Sequence, residues 1–258
     1  MNKIKEIWQY REMIHSFVKK EIRARYQKSV LGVLWNYINP LVQIAVYTLV
    51  FTLIYRNNIK VYYLFLTTAM MPWNFFSDSL GNGSSAIVNS ADMVKKIYFP
   101  REVLVISTVS AKFINLIISM MFIFAASLVA PIRIDPYRLW IIPIIMIIEY
   151  LQALGLALIA AAVTVFLRDV QFIINVVLMA WIWMTPVMYS LDNVPTRLGK
   201  LLLINPMTWT ITAFRDVLYY NRYPTVTAML IALMEGVIFV LIGELIFSKK
   251  SGKFAEEL

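Results

Sequence analysis

Stretches without a single charged side chain constrain this chain more than any other feature. Residues 29–55, 113–132 and 170–191 contain no Asp, Glu, Lys or Arg, and about 20 mainly apolar residues in a helix cross the roughly 30 Å hydrocarbon core of a bilayer. Each of the three can span alone. Three further stretches come close: 61–77, continuing past Asp78 to residue 80; 139–167, which carries Glu149; and 225–247, which carries Glu235 and Glu244. Six transmembrane helices are therefore expected, at about 30–55, 61–80, 106–130, 139–166, 170–190 and 225–247. The fold class is all-α integral membrane, a single transmembrane domain over 1–258.

Composition agrees. The chain is 60% hydrophobic and 15% charged, whereas an ordinary soluble domain is about 25% charged, so polar side chains are too few to cover a water-facing globule. Aromatic residues at 14% exclude disorder, which needs low hydrophobicity. With no cysteine and only His15, no disulfide framework or thiolate metal cluster can form, and little remains for metal or histidine chemistry. The net charge of +9 would suggest nucleic acid on a soluble fold. Here the charges bracket apolar segments, and nucleic acid is not expected as a partner.

Lys and Arg near span ends are retained on the cytoplasmic side. With the N-terminus inside, fifteen Lys and Arg fall on inner segments and eight on outer ones, with Lys112 near the inner start of the third span. Both termini are expected to be cytoplasmic, in the inner membrane. The polar, charged opening residues are not expected to form a removable signal peptide.

Between the spans, 1–28 is too charged to insert, yet Ile4, Ile7, Trp8, Ile14, Phe17, Val18 and Ile22 recur at helical spacing. This predicts an amphipathic helix in the headgroup plane, its basic side chains facing anionic lipid. It serves either as an anchor alone or also as part of a docking surface. The inner loop 81–103 predicts a short helix within 88–101, capped by Ser90 or Asp92 and stopped by Pro100. On the outer side 201–214 is apolar but broken at Asn205-Pro206. Two short helices dipping into the outer leaflet within 192–222 are expected, a gate or a sealing flap.

Catalytic signatures are missing. Gly199-Lys200 and Gly252-Lys253 lack the upstream glycine and following Ser or Thr of a phosphate loop. There is no G-x-S-x-G elbow and no H-E-x-x-H pair. No catalytic residue, cofactor or metal is expected in this chain. Glu149 and Glu235 are read as facing a wet cavity or another helix rather than as a proton relay. Among the aromatics of the spans, Trp35, Tyr47, Trp181 and Trp183 are the candidates for lining a substrate path, where flat rings stack on ligand CH surfaces. Belt residues at the membrane interface are the other reading of the same rings.

The segments RARYQKSVLGVLW (23–35) with Asn39-Pro40, PWNFF (72–76), VKKIYFPRE (94–102), TPVMY (185–189), Asn205-Pro206 with AFRD (213–216), and KFAEEL (253–258) together resemble, in order along the chain, the permease subunits of ABC-type polysaccharide and polyol-phosphate exporters. The O-antigen and teichoic acid exporter permeases are closest in kind. The resemblance implies a homodimer of six-span subunits. Two cytoplasmic ATPase subunits would hold ATP and Mg, and the cargo would be undecaprenyl-diphosphate-linked polysaccharide. O-antigen is the expected cargo, with teichoic acid or capsular polysaccharide as the alternative. It further implies that Asp92, Met93, Lys95, Lys96, Tyr98, Phe99, Pro100 and Arg101 couple to the ATPase, and that Asn205, Pro206, Phe214 and Arg215 belong to the outer gate. The channel would run along the dimer axis, lined mainly by the first and fifth spans. For the cargo the resemblance implies, Arg23, Arg25 and Lys28, with Lys95 and Arg101, would put positive charge at the cytoplasmic mouth where a diphosphate head group could be attracted; topology and lipid binding call for the same charges. Two other classes compete: an integral-membrane enzyme acting on polyprenyl-linked sugars, which needs a cluster of acids or histidines at one face, and a passive channel or scramblase, which needs no ATPase.

Overall fold

The computed structural model describes residues 3–24, 34–54, 59–132 and 134–258. Every regular element among them is helical. The amphipathic N-terminal region is two helices, α1 (Lys3–Gln9) and α2 (Arg11–Ala24), joined at Tyr10. Met13, Ile14 and Phe17 pack against the core, and α2 lies along α6 (Glu102–Val129). Part of its apolar stripe is thus covered by protein and not by lipid.

The first expected span is α3 (Trp35–Leu49), prolonged by a π-helical turn Val50–Ile54. The second is α4 (Tyr62–Ser85), most of it buried. At 1.5 Å rise per residue its 24 residues are long enough to cross a bilayer. A short helix α5 (Ala91–Lys96) precedes α6; α7 (Ile142–Thr164) follows a 3-10 turn Pro136–Ile141, and α8 (Val170–Trp181) comes next. The fifth expected span therefore stops short of residue 190. Pro186 has no backbone N–H to donate and disfavours helical backbone in the residue before it, and 183–185 close as tighter turns. Then come α9 (Thr196–Leu202), α10 (Pro206–Leu218), α11 (Val226–Lys250) and α12 (Phe254–Glu257). Three stretches, Glu102–Val129, Pro136–Thr164 and Val226–Glu257, are long and apolar enough to cross a membrane, with mean hydropathy 2.0, 2.1 and 2.4.

At the centre stands α7, packed on α4, α6 and most extensively on α11. Small residues permit that contact. A Cβ built on Gly155 would lie 2.3 Å from the backbone carbonyl carbon of Phe239, and one on Gly243 would lie 2.7 Å from the carbonyl oxygen of Gly155, so the two backbones touch as small-residue faces do in lipid. On the other side Gly83 of α4 meets Ala157 of α7. Gln152 crosslinks three helices: its amide donates to Ala232 O of α11 at 3.2 Å and its oxygen accepts from Thr210 Oγ1 of α10 at 2.8 Å. Glu149, one turn away, is fully buried, and its carboxylate oxygens have no hydrogen-bond partner. Glu235 on α11 is partly exposed.

Candidate functional site

Polar side chains interrupt the apolar helices at regular intervals. Asn39, Gln43 and Tyr47 recur every fourth residue on α3, Asn74, Asp78 and Asn82 do so on α4, and Lys112, Asn115 and Ser119 form a short run on α6. Residues three and four apart share one face of a helix, so each set makes a stripe. The fold turns these stripes toward each other and leaves two cavities between them. One, of about 290 Å³, lies between α3, α4 and α6 and is lined by Trp35, Asn39, Gln43, Asn74, Asp78, Lys112, Asn115 and Ser119, among others. The second, of about 550 Å³, lies between α3, α4 and α8 and adds Tyr47, Trp73, Asn82, Ser85, Asn175 and Trp183. Gln43, Asn74 and Asp78 line both, so the two join into one groove. Gln43 Nε2 also donates to Tyr47 Oη at 3.1 Å, orienting amide and ring on one wall.

Three of the four aromatic candidates, Trp35, Tyr47 and Trp183, line this groove. Trp181 does not. It turns its ring edge-on to Phe76 of α4, with centroids 5.4 Å apart.

At one end of the bundle the α5 segment stands on a knot of contacts. The Ser90 side chain does not cap the helix despite occupying the capping position, and Asp92 lies in the first turn. Ile97 is already extended (φ −130°, ψ 135°), so the helix ends at Lys96, four residues before Pro100. Val94 and Phe99 are buried and Met93 is half-buried, whereas Asp92, Lys95, Lys96, Ile97 and Tyr98 are exposed, Tyr98 at 82%. Behind Pro100, Arg101 Nη1 donates to Ser251 O at 2.7 Å, and the next residue, Glu102, is buried and paired with Lys3, which also reaches Glu244 at 2.8 Å. Desolvation by burial pulls the Lys3 pKa down, but the hydrogen bonds and negative charges of Glu102 and Glu244 outweigh it and leave it raised. Phe254 is buried against Phe166 and Phe247, and α12 touches α5. The N-terminal helix, the α5 segment, the α7–α8 turn and the chain's last residues are thus bound into one unit.

At the other end α10 is almost wholly buried. Asn205 opens it: its Oδ1 accepts from Met207 N at 3.0 Å, capping the helix ahead of Pro206 at the first position. Its Nδ2 donates to Thr185 Oγ1 at 2.8 Å. Phe214 is fully buried. Arg215, equally buried, lies over the Phe65 ring at 3.6 Å and donates to Pro186 O at 2.7 Å and Val187 O at 2.9 Å. Burial pulls its pKa down to about 10, so it stays charged at neutral pH. Tyr62 Oη donates to Met188 O at 2.8 Å. Arg215 and Tyr62 between them hold the carbonyls of the unwound segment that follows α8. Beside them Asp216 pairs with Arg222 at 2.7 Å; burial raises the Asp216 pKa, against the pull of Arg222.

Residues 12–219 match the ABC-2 type transporter membrane family. The chain belongs to that family. This ABC-2 protein is also similar along its whole length to an O-antigen export system permease protein, RfbA, of Myxococcus xanthus, with 32% identity covering 99% of this chain and 98% of the relative. A protein of the same name from Klebsiella pneumoniae is 30% identical over 96% of this chain and 95% of its own. In this ABC-2 membrane protein the sequence-derived head-group residues fall unevenly: Arg23 is exposed on the last turn of α2, while Arg25 and Lys28 lie outside the described residues. Aromatic and acidic residues alone do not reveal the amide stripes of α3, α4 and α6. Their fourfold spacing inside otherwise apolar runs was the signal that could have found them.

Proposed function

We propose that this chain is the membrane subunit of an ATP-driven exporter that moves lipid-linked polysaccharide, of the O-antigen kind, across the cytoplasmic membrane. The observation that carries the proposal is the groove: a polar, aromatic-flanked wall built from helices whose other faces are apolar. A glycan crossing hydrocarbon must exchange its hydrogen bonds to water for others, because unpaired polar groups there cost several kcal/mol each. The stripes of Asn, Gln, Ser and Asp provide those partners, and Trp35, Tyr47 and Trp183 provide flat surfaces along which sugar faces slide. The two relatives named for O-antigen export support the cargo class.

The remaining roles follow from the chemistry the chain lacks. Without a phosphate loop it draws work from ATP and Mg bound by a cytoplasmic partner, one ATPase for each copy in a homodimer. Six passes place both termini and α5 on the cytoplasmic side, in keeping with the distribution of Lys and Arg. The exposed Ile97 and Tyr98, backed by buried Val94 and Phe99, form the knob that receives the partner's motion. Arg101 and Glu102 pass it to α11 and α6. At the outer end, α9 and α10, fixed by Arg215, close the path. Glycan enters as its undecaprenyl-diphosphate conjugate, with Arg23, Arg25 and Lys28 near the lipid head.

The test is genetic. Deletion of the gene should leave undecaprenyl-linked glycan on the cytoplasmic side, inaccessible to periplasmic enzymes, and the intact chain supplied with its ATPase should restore access. Normal glycan delivery without the chain would defeat the proposal.

A further inference from the structure

A strained residue stands where α4 begins. Among the described residues only Val61 and Asn221, glycines aside, have a left-handed backbone; Asn adopts that conformation readily, whereas for a β-branched residue it is an outlier. Val61 has φ 51° and ψ 53°. It occupies the N-cap of α4, a position whose backbone is ordinarily extended, and extended backbone is also what Val prefers. A relaxed conformation is therefore at hand that would keep α4 whole, because the Val61 carbonyl that accepts from Leu64 N and Phe65 N stays with the helix while the residues before it swing.

What prevents that swing comes from the outer end of the bundle. On one side of Val61, Tyr219 at the end of α10 donates from its Oη to Lys60 O. On the other side, Tyr62 Oη donates at 2.8 Å to Met188 O in the unwound segment after α8. The flanks of one strained residue are thus fastened to the two elements that Arg215 clamps together, and Ile59 and Val61 also pack on the core. We propose that Val61 is a strained hinge latched by Tyr219: when α10 and the unwound segment part from α4, Val61 relaxes to extended backbone, and the strain released favours opening of the outer end. Strain of this kind persists where the surroundings over-determine it, at clamps and switches. The hydrogen bonds of Arg215, Tyr62 and Tyr219 favour the closed arrangement and the strain at Val61 opposes them, so closed and open lie nearer in free energy than the contacts alone would make them. The proposal rests on the reading of α9 and α10 as the outer gate.

Two substitutions separate strain from packing. Val61→Ala and Val61→Gly both remove the isopropyl group, but only Gly is free of the left-handed penalty. The readout is opening of the outer end in the full-length chain, purified in detergent without an ATPase. Met188→Cys supplies the sole thiol in a cysteine-free sequence at a side chain only 2% exposed, and its rate of modification by a small methanethiosulfonate reagent follows the open population when opening and closing are fast. The left-handed penalty corresponds to a factor of about 5–30 in an equilibrium, so the Val61→Gly chain should label about 5–30 times more slowly than the Val61→Ala chain. Tyr219→Phe releases Lys60; it should speed labelling and bring the Gly and Ala rates together. Val187→Cys, fully buried in the same segment, takes the place of Met188→Cys should that variant fail to fold. Equal labelling of the Gly and Ala chains, faster labelling of the Gly chain, a difference that Tyr219→Phe leaves unchanged, or no labelling of either thiol overturns the proposal. Export of glycan is a separate measurement: the expected labelling pattern in a chain that exports none would overturn the exporter assignment and leave the hinge standing.

Discussion

Replacing Arg215 by Met removes the group that holds the unwound segment after α8. The guanidinium gives up hydrogen bonds of 2.7 and 2.9 Å to Pro186 O and Val187 O and its place 3.6 Å over the Phe65 ring. A hydrogen bond to a charged group contributes roughly 1.5–3 kcal/mol, and a desolvated cation over a ring adds about 2 kcal/mol. Relief of the buried charge's own desolvation offsets part of that loss, while carbonyls left without a donor add to it, so the net destabilisation should be about 3–5 kcal/mol. For a chain of this size each kcal/mol moves Tm by roughly 2–4 °C, which gives a fall of roughly 6–20 °C. Arg215→Lys keeps the charge but not the planar fork that reaches two carbonyls at once, so about half the fall is expected. Thermal unfolding of the purified chain in detergent, followed by tryptophan emission, measures both. If the Met variant melts within about 2 °C of the parent, a shift of less than 1 kcal/mol, the clamp is not what holds this segment.

Three further outcomes are expected. Tyr98→Ala should leave Tm unchanged, because the ring is 82% exposed, yet reduce stimulation of the partner's ATP hydrolysis several-fold; unchanged stimulation removes Tyr98 from the docking surface. Trp183→Ala should slow glycan export with assembly intact, whereas Trp181→Ala should cost about 0.5–1.5 kcal/mol through its lost edge contact with Phe76, beyond area burial; paired Tm and export measurements separate the two. Lys3 has its pKa raised above 10.5, so its pairing with Glu102 and Glu244 stabilises the docked α1 fully below pH 10.5 and is lost as pH climbs through the raised value. Emission anisotropy of Trp8 on α1 should fall only in that alkaline range, and a fall near neutral pH would rule the pairing out.

The long apolar runs, three of them free of charge, identified the helices α3, α4, α6, α7, α8 and α11, because long apolar stretches have few alternatives to a helix. The Asn205-Pro206 break was legible for the same reason, as Pro fits the first helical position and Asn the cap. The early end of α8 was not. Residues 182–190 are apolar enough to continue a span; Pro186 marks a break within them, but the capture of the freed carbonyls by Arg215 and Tyr62, both distant in sequence, is visible only in the fold. Likewise the break of the N-terminal region at Tyr10 and the burial of its apolar face against α6 depend on a tertiary partner. At the site, single aromatics were visible as residue types, but which of them face the groove depends on helix rotation. Trp181 and Trp183 stand two residues apart, on different faces of the chain, and only packing distinguishes them.

Directional, ATP-dependent movement of glycan is the central claim, and reconstitution tests it most directly. The chain and its partner ATPase are placed in liposomes loaded with undecaprenyl-diphosphate-linked glycan, and the fraction of glycan exposed to an added glycosidase on the far leaflet is followed with and without ATP. Exposure should rise only when ATP, Mg and both proteins are present, and it should fall in the Trp183→Ala variant. Equal exposure without ATP would make the chain a passive scramblase, and no exposure under any condition would remove polysaccharide export from its function.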